Sequence, residues 1–550
     1  MPRPADPTRP SLPPLYYLHN LEAAFACIEA RYADLLDAQE QGFLTGFAAL
    51  PLPSRALLAR LLLRKGPYFR IGALRYAEIE DLAAALAPLS DRGFISLQPV
   101  LDLPSLFALL TRGELVAAFP QLPATQSKLQ WQSDLAGLWP EARPLREWAP
   151  GLNDAVIALQ VAALAMRLRL LFFGNSRQEW HEFVLTDLGI LRYESVAFDL
   201  RSRPFQHRQD IESYYHLHDC RERLRAGVAS TEIADELAVP TGISDWLQAR
   251  YQRVQLAFGD QQQRERDFEG ALATYRACGS PDAQLQCVKL LERLQRPAEA
   301  HAVATALRAS RCSEALVQAA ERCLARLCRR LGVVAPGRAP QGRTDTQQLM
   351  LPRPPGGGSV ERIAAEHLAR GGGEVFYVEN SLLGSLFGLL YWDALFAPVP
   401  GAFFHPFQSR PADLYTPAFQ RHRGTQLQAA RAALDSGAYR ALIEVRYREK
   451  YALQSAFVSW GLLTEPLLAL ALAVIPASHL RLCFDRMLED LRENSSGLPD
   501  LIQFWPEVGR YRMIEVKGPG DRLQYNQRRW LEFFHAHALP VTVCHVSWNA

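Results

Sequence analysis

The sequence PDLIQFWPEVGRYRMIEVK, at residues 499–517, constrains the fold more than any other stretch of the chain. Two runs rich in Val, Ile and aromatic residues, which favour strands, flank PEVG, whose Pro506 and Gly509 favour a turn. The pattern predicts a β-hairpin with strands at 500–505 and 510–517 and a two-residue loop between the proline and the glycine. Antiparallel pairing then fixes which side chains become neighbours.

The predicted hairpin brings two acidic residues together. Pairing across the loop places Asp500 opposite Glu515, and the Cβ atoms of such a pair are roughly 5 Å apart. Side chains alternate along a strand, so Glu515 and Lys517 share one face whereas Ile514 and Val516 point to the other. We expect a face with two carboxylates and an ammonium, backed by an apolar face.

The pair of carboxylates suits a hard divalent cation. Two carboxylates this close repel each other unless one is protonated or a cation lies between them. Oxygen ligands favour Mg²⁺ or Mn²⁺, and such sites commonly also bind substrate phosphates. The candidate ligands are Asp500, Glu515 and the backbone carbonyl of Val516. Lys517 would face the same site, near the water that attacks a bound phosphodiester in a hydrolytic reaction. An ordinary solvated hairpin face, with Lys517 as the partner of the acids, fits the same residues.

The motif formed by these residues resembles a nuclease signature. PD at 499–500, followed by EVK at 515–517, resembles the PD-(D/E)xK pattern. The longer string GLPDLIQF…IEVKGPGDRLQYNQRRWL resembles the virus-type replication-repair nuclease (VRR-NUC) domain of the Fanconi-associated nuclease family. The resemblance implies a metal-dependent, structure-specific DNA nuclease with 5′-flap endonuclease and 5′-to-3′ exonuclease activity, acting in repair of interstrand crosslinks. The alternatives are a Holliday-junction resolvase, a restriction-type nuclease, or a non-catalytic DNA-binding repeat scaffold, which the intact acids disfavour.

The resemblance also points to site residues outside the hairpin. In ENSLLGSLFGLLYWDALF it implies that Glu379, at the start of an apolar helix, is a third catalytic and metal-binding acid, with Asp393 and Asp413 as competitors. After the hairpin, Asp521 is expected to cap a helix. Gln527 lies on the apolar stripe of that helix, and the resemblance makes it an active-site glutamine.

Local basic segments are expected to contact DNA, because a formal net charge of +2 gives little overall attraction. In LLLRKGPYFRIGALRY, basic and aromatic residues alternate, as suits phosphate contact and base stacking. A solvated edge of a helical domain is the alternative there. The expected partner is branched or flapped double-stranded DNA, and the candidate DNA-binding residues are Arg64, Lys65, Tyr68, Arg70, Arg522 and Arg528.

The predicted fold is mainly α with a C-terminal α/β domain, a PD-(D/E)xK core in which helices flank a mixed sheet. Helical periodicity dominates elsewhere, and Pro/Gly-rich sequence near 333–360 indicates a linker. The predicted domains are a helical DNA-binding domain at 1–100, a SAP-like helix-turn-helix at 101–150, a connecting segment and tetratricopeptide-like helical repeats at 151–335, a linker and nuclease lead-in at 336–374, and the VRR-NUC domain at 375–550.

Cysteine usage and apolar runs indicate the compartment. The nine cysteines form no CxxC pair, so neither a zinc site nor a disulfide framework is expected. The N-terminus lacks the apolar core of a signal peptide, and PLLALALAVIP is too short to span a bilayer. We therefore expect a cytoplasmic protein, nucleoid-associated if bacterial, with no membrane partner. Some relatives in the family carry a ubiquitin-binding zinc finger, which this chain is expected to lack.

Overall fold

The computed structural model describes residues 15–549 except 124, 181, 183–190, 198–199, 201–202, 238–243, 311, 335–344 and 353–357. The chain divides into two compact units. One comprises the described residues of Met1–Arg192 and Arg203–Arg208, and the other those of Tyr193–Ser202 and Gln209–Ala550.

The first unit is mainly helical, with short strands. Capping boxes begin some of its helices: the Asp37 side chain accepts from the Glu40 N–H while the Glu40 side chain accepts in return. Within the predicted SAP-like segment at 101–150, two short helices, Leu103–Leu109 and Arg112–Ala118, flank a turn. The elements are α1 (Tyr16–Tyr32), α2 (Ala38–Ala48), α3 (Leu52–Leu62), β1 (Tyr68–Arg70), α4 (Leu82–Asp91), β2 (Ile95–Ser96), β3 (Val100–Leu101), α5 (Leu103–Leu109), α6 (Arg112–Ala118), α7 (Lys128–Ala136), β4 (Arg143–Pro144), α8 (Leu145–Trp148), β5 (Val156–Leu159) and α9 (Ala162–Phe173).

The second unit begins with helices that pack against one another in chain order. Small residues such as Ala271 and Ala300 are fully buried between them, which lets successive helices approach closely. The described residues of 211–331, within the segment predicted to hold helical repeats, are nearly all helical. The helices are α10 (Arg208–Arg225, whose first residue belongs to the first unit), α11 (Ser230–Ile233), α12 (Asp245–Arg264), α13 (Phe268–Cys278), α14 (Pro281–Arg293), α15 (Pro297–Ala309) and α16 (Glu314–Leu331).

A five-stranded mixed sheet with flanking helices completes the second unit, which confirms the predicted α/β domain. The strand order is β6-β10-β9-β8-β7, parallel from β6 through β9 and antiparallel from β9 to β7. The strands are β6 (Asp345–Pro352), β7 (Glu374–Tyr377), β8 (Leu501–Trp505), β9 (Arg510–Lys517) and β10 (Val541–Asn549). The helices are α17 (Val360–Arg370), α18 (Leu382–Leu390), α19 (Trp392–Leu395), α20 (Pro417–His422), α21 (Gly424–Ser436), α22 (Tyr439–Glu449), α23 (Glu465–Val474), α24 (Ala477–Glu489) and α25 (Tyr525–Ala536).

Each face of this sheet is covered by helix. Ile514 and Val516 of β9 pack with Leu368 of α17 on one face. On the other face, Met513 joins the large core formed with helices such as α18 and α24. Glu515 and Lys517 alternate with Ile514 and Val516, so they lie on the side of the large core.

The linker predicted near 333–360 is wrong for Asp345–Pro352, which forms the edge strand β6 in parallel register with β10. Leu349 and Leu351 are buried while their neighbours are exposed, the alternation expected of a half-covered edge strand. Proline and glycine on either side hid this short pattern. The segment therefore belongs to the five-stranded sheet.

Among the described helices, none is by itself both long and apolar enough to cross a membrane. The pair α23 and α24 reaches that length and composition together, with a bend of 107° between them.

Candidate active site

The predicted hairpin and its register are confirmed. Leu501 pairs with Ile514, so Asp500, one residue earlier, lies beside Glu515. The loop is longer than predicted: Trp505 pairs with Arg510, and four residues connect the strands. Three of them form a 3₁₀ turn, and Gly509 ends it at φ +59°, a left-handed conformation that favours glycine. A loop of two or of four residues gives the same register, which is why the predicted pairing was right.

Asp500 is buried and anchored by backbone contacts. Its side chain is held by the N–H of Val516, which donates to Oδ2 at 2.8 Å. Its own carbonyl accepts the N–H of Val378 at 2.8 Å, which ties the end of β7 to the start of the hairpin. The carboxylate is therefore fixed between two strands.

Glu515 is the most deeply buried of the three acids, with 0% of the residue exposed. Lys517 Nζ lies 2.8 Å from its Oε1 as an ion partner. Apart from that ammonium, neither carboxylate oxygen has a hydrogen-bond donor among the described residues. One ammonium beside two buried carboxylates leaves negative charge that is costly to bury until a further cation binds, so the donor set fits a divalent metal ion.

The electrostatics of the site favour an added positive charge. Burial, opposed by the Val516 N–H, raises the pKa of Asp500 to about 6, with a further contribution from Glu379. Burial and the negative charge of Asp500 raise the pKa of Glu515 to about 7, opposed by Lys517. Without a bound metal ion, the ionised forms of both carboxylates are therefore destabilised in this site.

Glu379 lies beside this pair in the turn between β7 and α18, before the apolar helix that was predicted. Asn380 adopts φ +48°, and its Oδ1 accepts the N–H of Leu498 at 3.0 Å, which fastens the turn to the segment leading into Asp500. Glu379 is exposed, and its charge contributes to the raised pKa of both buried acids. Both competitors for the third acid have other partners, since Asp393 pairs with Arg446 and Asp413 with Arg423.

Tyr377 is a site residue that sequence reasoning missed. Its hydroxyl donates a hydrogen bond to Glu379 Oε2, and its strand position is opposite Leu501, next to Asp500. The carboxylate of Glu379 and burial raise the pKa of this hydroxyl far above its usual range. The sequence could have indicated Tyr377, because this residue lies two positions before Glu379 at the end of a strand.

Gln527 lies in the first turn of a helix rather than in the middle of the helix's apolar face. Helix α25 begins at Tyr525, and the N–H of Gln524 donates to Gln527 Oε1 at 2.9 Å. The expectation that Asp521 caps this helix is wrong: its Oδ2 accepts the N–H of Gly518 at 3.0 Å and closes the turn after β9. An active-site role for Gln527 stays a prediction. Arg522 and Arg528 are exposed, as DNA contacts would require.

The basic segment of the first unit divides into exposed and internally paired residues. Arg64 and Lys65 are exposed, with Arg64 also donating to the Tyr76 hydroxyl at 3.2 Å. Tyr68 packs against the core around α5. The expectation that Arg70 contacts DNA conflicts with its two carboxylate partners.

The ion pairs of Arg70 join distant parts of the first unit. Its guanidinium lies 2.8 Å from both Glu114 and Asp154, and only 20% of its side chain is exposed. The glutamate carboxylate and the aspartate both help to raise the pKa of Arg70. These ion pairs give Arg70 a structural role, and its contact with DNA stays a prediction.

A second group of metal-ligand side chains lies away from the hairpin, in the helical part of the second unit. Ligand atoms of His216, Cys220 and Glu236 lie within 4.8 Å of one another. The groups already have partners, since Arg223 pairs with the Glu236 carboxylate at 2.7 Å and His216 Nε2 lies 2.6 Å from the Glu236 carbonyl oxygen. Internal pairing accounts for this cluster.

Two buried acids and a lysine on an antiparallel hairpin, within a mixed sheet covered by helices, define a nuclease of the VRR-NUC class. The VRR-NUC domain model matches residues 435–548, the FAN1 HTH domain model matches 15–96, and the Fanconi anemia-associated nuclease SAP domain model matches 100–148. The chain belongs to the Fanconi-associated nuclease family and is a DNA-cleaving hydrolase.

Relatives and solved structures support this membership along the whole chain. A Fanconi-associated nuclease 1 homolog of Pseudomonas aeruginosa is 48% identical over 543 residues, covering 98% of this chain and 97% of the relative. The Arabidopsis thaliana homolog is 24% identical, covering 93% of this chain and 64% of the relative. Human Fanconi-associated nuclease 1 is 25% identical, covering 96% and 62%.

Two solved structures with high similarity are complexes with DNA. A crystal structure of paFAN1 bound to 2-nucleotide 5′-flap DNA with a gap matches with a TM-score of 0.93 and 48% identity, covering 98% of this chain and 100% of that one. The complex with 1-nucleotide 5′-flap DNA matches with a TM-score of 0.92 and 47% identity, with the same coverage.

Proposed function

We propose that this chain hydrolyses phosphodiester bonds at or near 5′ flaps in branched double-stranded DNA, as a flap endonuclease and 5′-to-3′ exonuclease. The observation that carries the proposal is the buried pair Asp500 and Glu515 beside Lys517, on a fold that superposes along its length on a nuclease solved with 5′-flap DNA. The first unit supplies candidate DNA-binding domains at residues 15–96 and 100–148.

Membership in the family implies dependence on a divalent metal ion, and we infer that the ion is Mg²⁺ or Mn²⁺ because the donors are oxygens. Asp500, Glu515 and Glu379 would hold it through their carboxylates. The Val516 N–H points to Asp500, and N–H and C=O of one strand residue point to the same side, so its carbonyl is directed toward the acids as well. When bound, the ion would polarise the phosphate and increase the acidity of the attacking water.

The protein's own groups position this chemistry. Lys517 is buried to 8% exposure, so its ammonium is held next to Glu515 and can stabilise negative charge that develops on the phosphate. Tyr377 holds Glu379 through the hydroxyl hydrogen bond, which keeps the exposed carboxylate directed to the site. Gln527, at the start of α25, is proposed to contact the substrate side of the site.

Cleavage of a substrate panel tests the proposal. The full-length protein, with Mg²⁺ or Mn²⁺, is incubated with 5′-flap, fork, four-way-junction and single-stranded DNA of matched sequence. We expect preferential cutting of the 5′ flap, whereas symmetric cutting of the four-way junction by a dimer would favour a resolvase. If the protein binds DNA but cleaves none of these substrates, the result would favour the alternative of a non-catalytic DNA-binding scaffold.

Two variants link cleavage to the acids. Asp500→Ala and Glu515→Ala should each abolish cleavage while DNA binding, measured by fluorescence anisotropy, is kept. Glu507→Ala is the matched control, because this acid lies in the exposed turn of the same hairpin. Undiminished cleavage by either site variant would exclude the assignment.

We also infer a role in the repair of interstrand crosslinks and a cytoplasmic, nucleoid-associated location. Family membership supports the first, and nine cysteines that are all free are compatible with a reducing compartment. Cells without the gene should be more sensitive to a crosslinking agent. The wild-type gene should restore resistance, and the Asp500→Ala gene should not.

A further inference from the structure

A cavity of about 390 Å³ opens at the turn end of the hairpin, away from the acids. Its position follows from the strand lengths: Arg510 and Lys517 are separated by seven residues, or roughly 23 Å at about 3.3 Å per residue. The residues that matter for its chemistry are His479, Trp505, Arg510, Tyr511, Arg512 and Pro540.

The cavity lies where one edge of β9 is uncovered. Pairing between β10 and β9 begins at Val541 with Met513, whereas β8 pairs with β9 as far as Arg510. The N–H of Met513 donates to the carbonyl of Pro540 at 2.9 Å. The N–H of Tyr511, two residues earlier, points to the same side, where β10 has not yet begun. A backbone donor is therefore directed toward the gap.

Two arginines carry positive charge at this gap without a carboxylate partner among the described residues. Arg512 donates to the neutral amide oxygens of Gln503 and Gln347, at 2.9 and 3.5 Å, and its Nε is buried without an acceptor. Arg510, on the same face of the strand, stacks over the Trp505 ring at 4.2 Å. Many other arginines of this chain pair with acids, so two adjacent unpaired guanidinium groups leave room for an anion.

The surroundings favour an anion over any other ligand. Burial and the neighbouring charge of Arg510 lower the pKa of Arg512, so a bound negative charge would relieve both effects. No acidic residue lines the cavity. His479 Nδ1 lies 2.8 Å from the Tyr511 hydroxyl and adds a polar wall. The volume lies within the range of small-ligand pockets.

We propose that this cavity binds a phosphate group, through the guanidinium groups of Arg510 and Arg512 and the Tyr511 N–H. Guanidinium forks match phosphate geometry and form charge-assisted hydrogen bonds that are stronger than neutral ones. The phosphate belongs either to a free nucleotide or to a DNA strand that extends past the hydrolytic site. The second source rests on the proposed function, whereas the first does not.

Binding measurements without metal separate the two sources. The full-length protein in EDTA is titrated calorimetrically with inorganic phosphate and with thymidine 5′-monophosphate, and its affinity for duplex DNA is measured at several salt concentrations. Arg510→Gln is the main variant because Arg510 is exposed and its loss should leave the fold intact. Arg448→Gln is the control, since Arg448 is 71% exposed on α22 and lies outside the cavity.

Each outcome decides the inference. Nucleotide or phosphate binding that Arg510→Gln weakens at least tenfold, and Arg448→Gln does not, identifies a free phosphate compound as the ligand. Without such binding, a slope of log K against log salt that falls by about 0.9 in Arg510→Gln alone identifies a DNA phosphate. If the wild-type protein binds neither probe and the slope is unchanged, the inference is wrong. Arg512→Gln tests the partly buried guanidinium separately: once thermal unfolding has shown that the variant is folded, phosphate or DNA binding as tight as that of the wild type would overturn the role of Arg512.

Discussion

Replacing Glu515 with Gln should stabilise the metal-free protein at pH 8, although it removes an active-site residue. The carboxylate is completely buried, and apart from the Lys517 ammonium its oxygens have no hydrogen-bond donor among the described residues. Burial and Asp500 raise its pKa from 4.5 to about 7. At about 1.4 kcal/mol for each tenfold change in acidity, this displacement is about 3 kcal/mol of free energy against the ionised folded state.

The sign follows from proton binding. Between pH 4.5 and about 7 the folded protein keeps the Glu515 proton that the unfolded chain has lost, so the free energy of unfolding falls as pH rises through this window. Above pH 7 the ionised Glu515 destabilises the folded protein by the full amount, and below pH 4.5 it does not destabilise it, because the carboxyl is protonated in both states. Glutamine has no such titration. Because Lys517 loses its ion partner in the variant, we expect a net gain of about 1–3 kcal/mol at pH 8, and little gain near pH 4.5.

The assay is thermal unfolding in EDTA at several pH values, followed by intrinsic fluorescence. The unit that contains the hairpin is larger than 250 residues, so each kcal/mol of this gain corresponds to about 1–2 °C in Tm. Glu507→Gln, in the exposed turn of the hairpin, is the control and should leave Tm unchanged. Saturating Mn²⁺ should raise the Tm of the wild-type protein more than that of the variant. A variant less stable than wild type at pH 8, or a gain that is the same at pH 5, would refute the reasoning.

Four further predictions concern other side chains. Lys517→Met should keep metal affinity, measured calorimetrically, and lose about 10²–10³ in kcat, and unchanged turnover would remove Lys517 from the site. Replacing Arg64 and Lys65 together by Gln should lower the salt slope of DNA binding by up to about 1.8, which corresponds to two phosphate contacts, and an unaltered slope would exclude these two residues from the DNA-binding surface. Arg70→Met should lower Tm because it disrupts the ion pairs of Arg70. Gln527→Ala should lower the free energy of unfolding by about 1 kcal/mol, because the helix cap is lost. If Gln527→Glu restores this stability but not kcat, the amide of Gln527 acts on the substrate.

The hairpin and its acids could be predicted because their placement depends on short-range rules. Strand alternation and a symmetric turn are sufficient to put Asp500 beside Glu515, whatever the loop length. Resemblance then supplied Glu379, which no local pattern identifies because its position depends on contacts of Val378 and Asn380 with the segment before β8.

The features that the sequence did not reveal depend on contacts between residues far apart in the chain. Arg70 lies in a segment that is typical of DNA-binding surfaces, but Glu114 and Asp154, distant in sequence, hold its guanidinium. Strand β6 was hidden because its partner β10 lies almost 200 residues away and Pro/Gly-rich sequence flanks it. Such pairings are decided by tertiary packing, which local sequence does not encode.

The central claim is that a divalent cation binds at the paired carboxylates of the hairpin, and anomalous diffraction from crystals soaked in Mn²⁺ tests it most directly. The claim predicts an anomalous peak within about 2.0–2.4 Å of carboxylate oxygens of both Asp500 and Glu515, with the Val516 carbonyl and Glu379 as further ligands of that ion, or of a second ion nearby, directly or through water. A fully occupied Mn²⁺ ion more than about 3 Å from both Asp500 and Glu515 would contradict it.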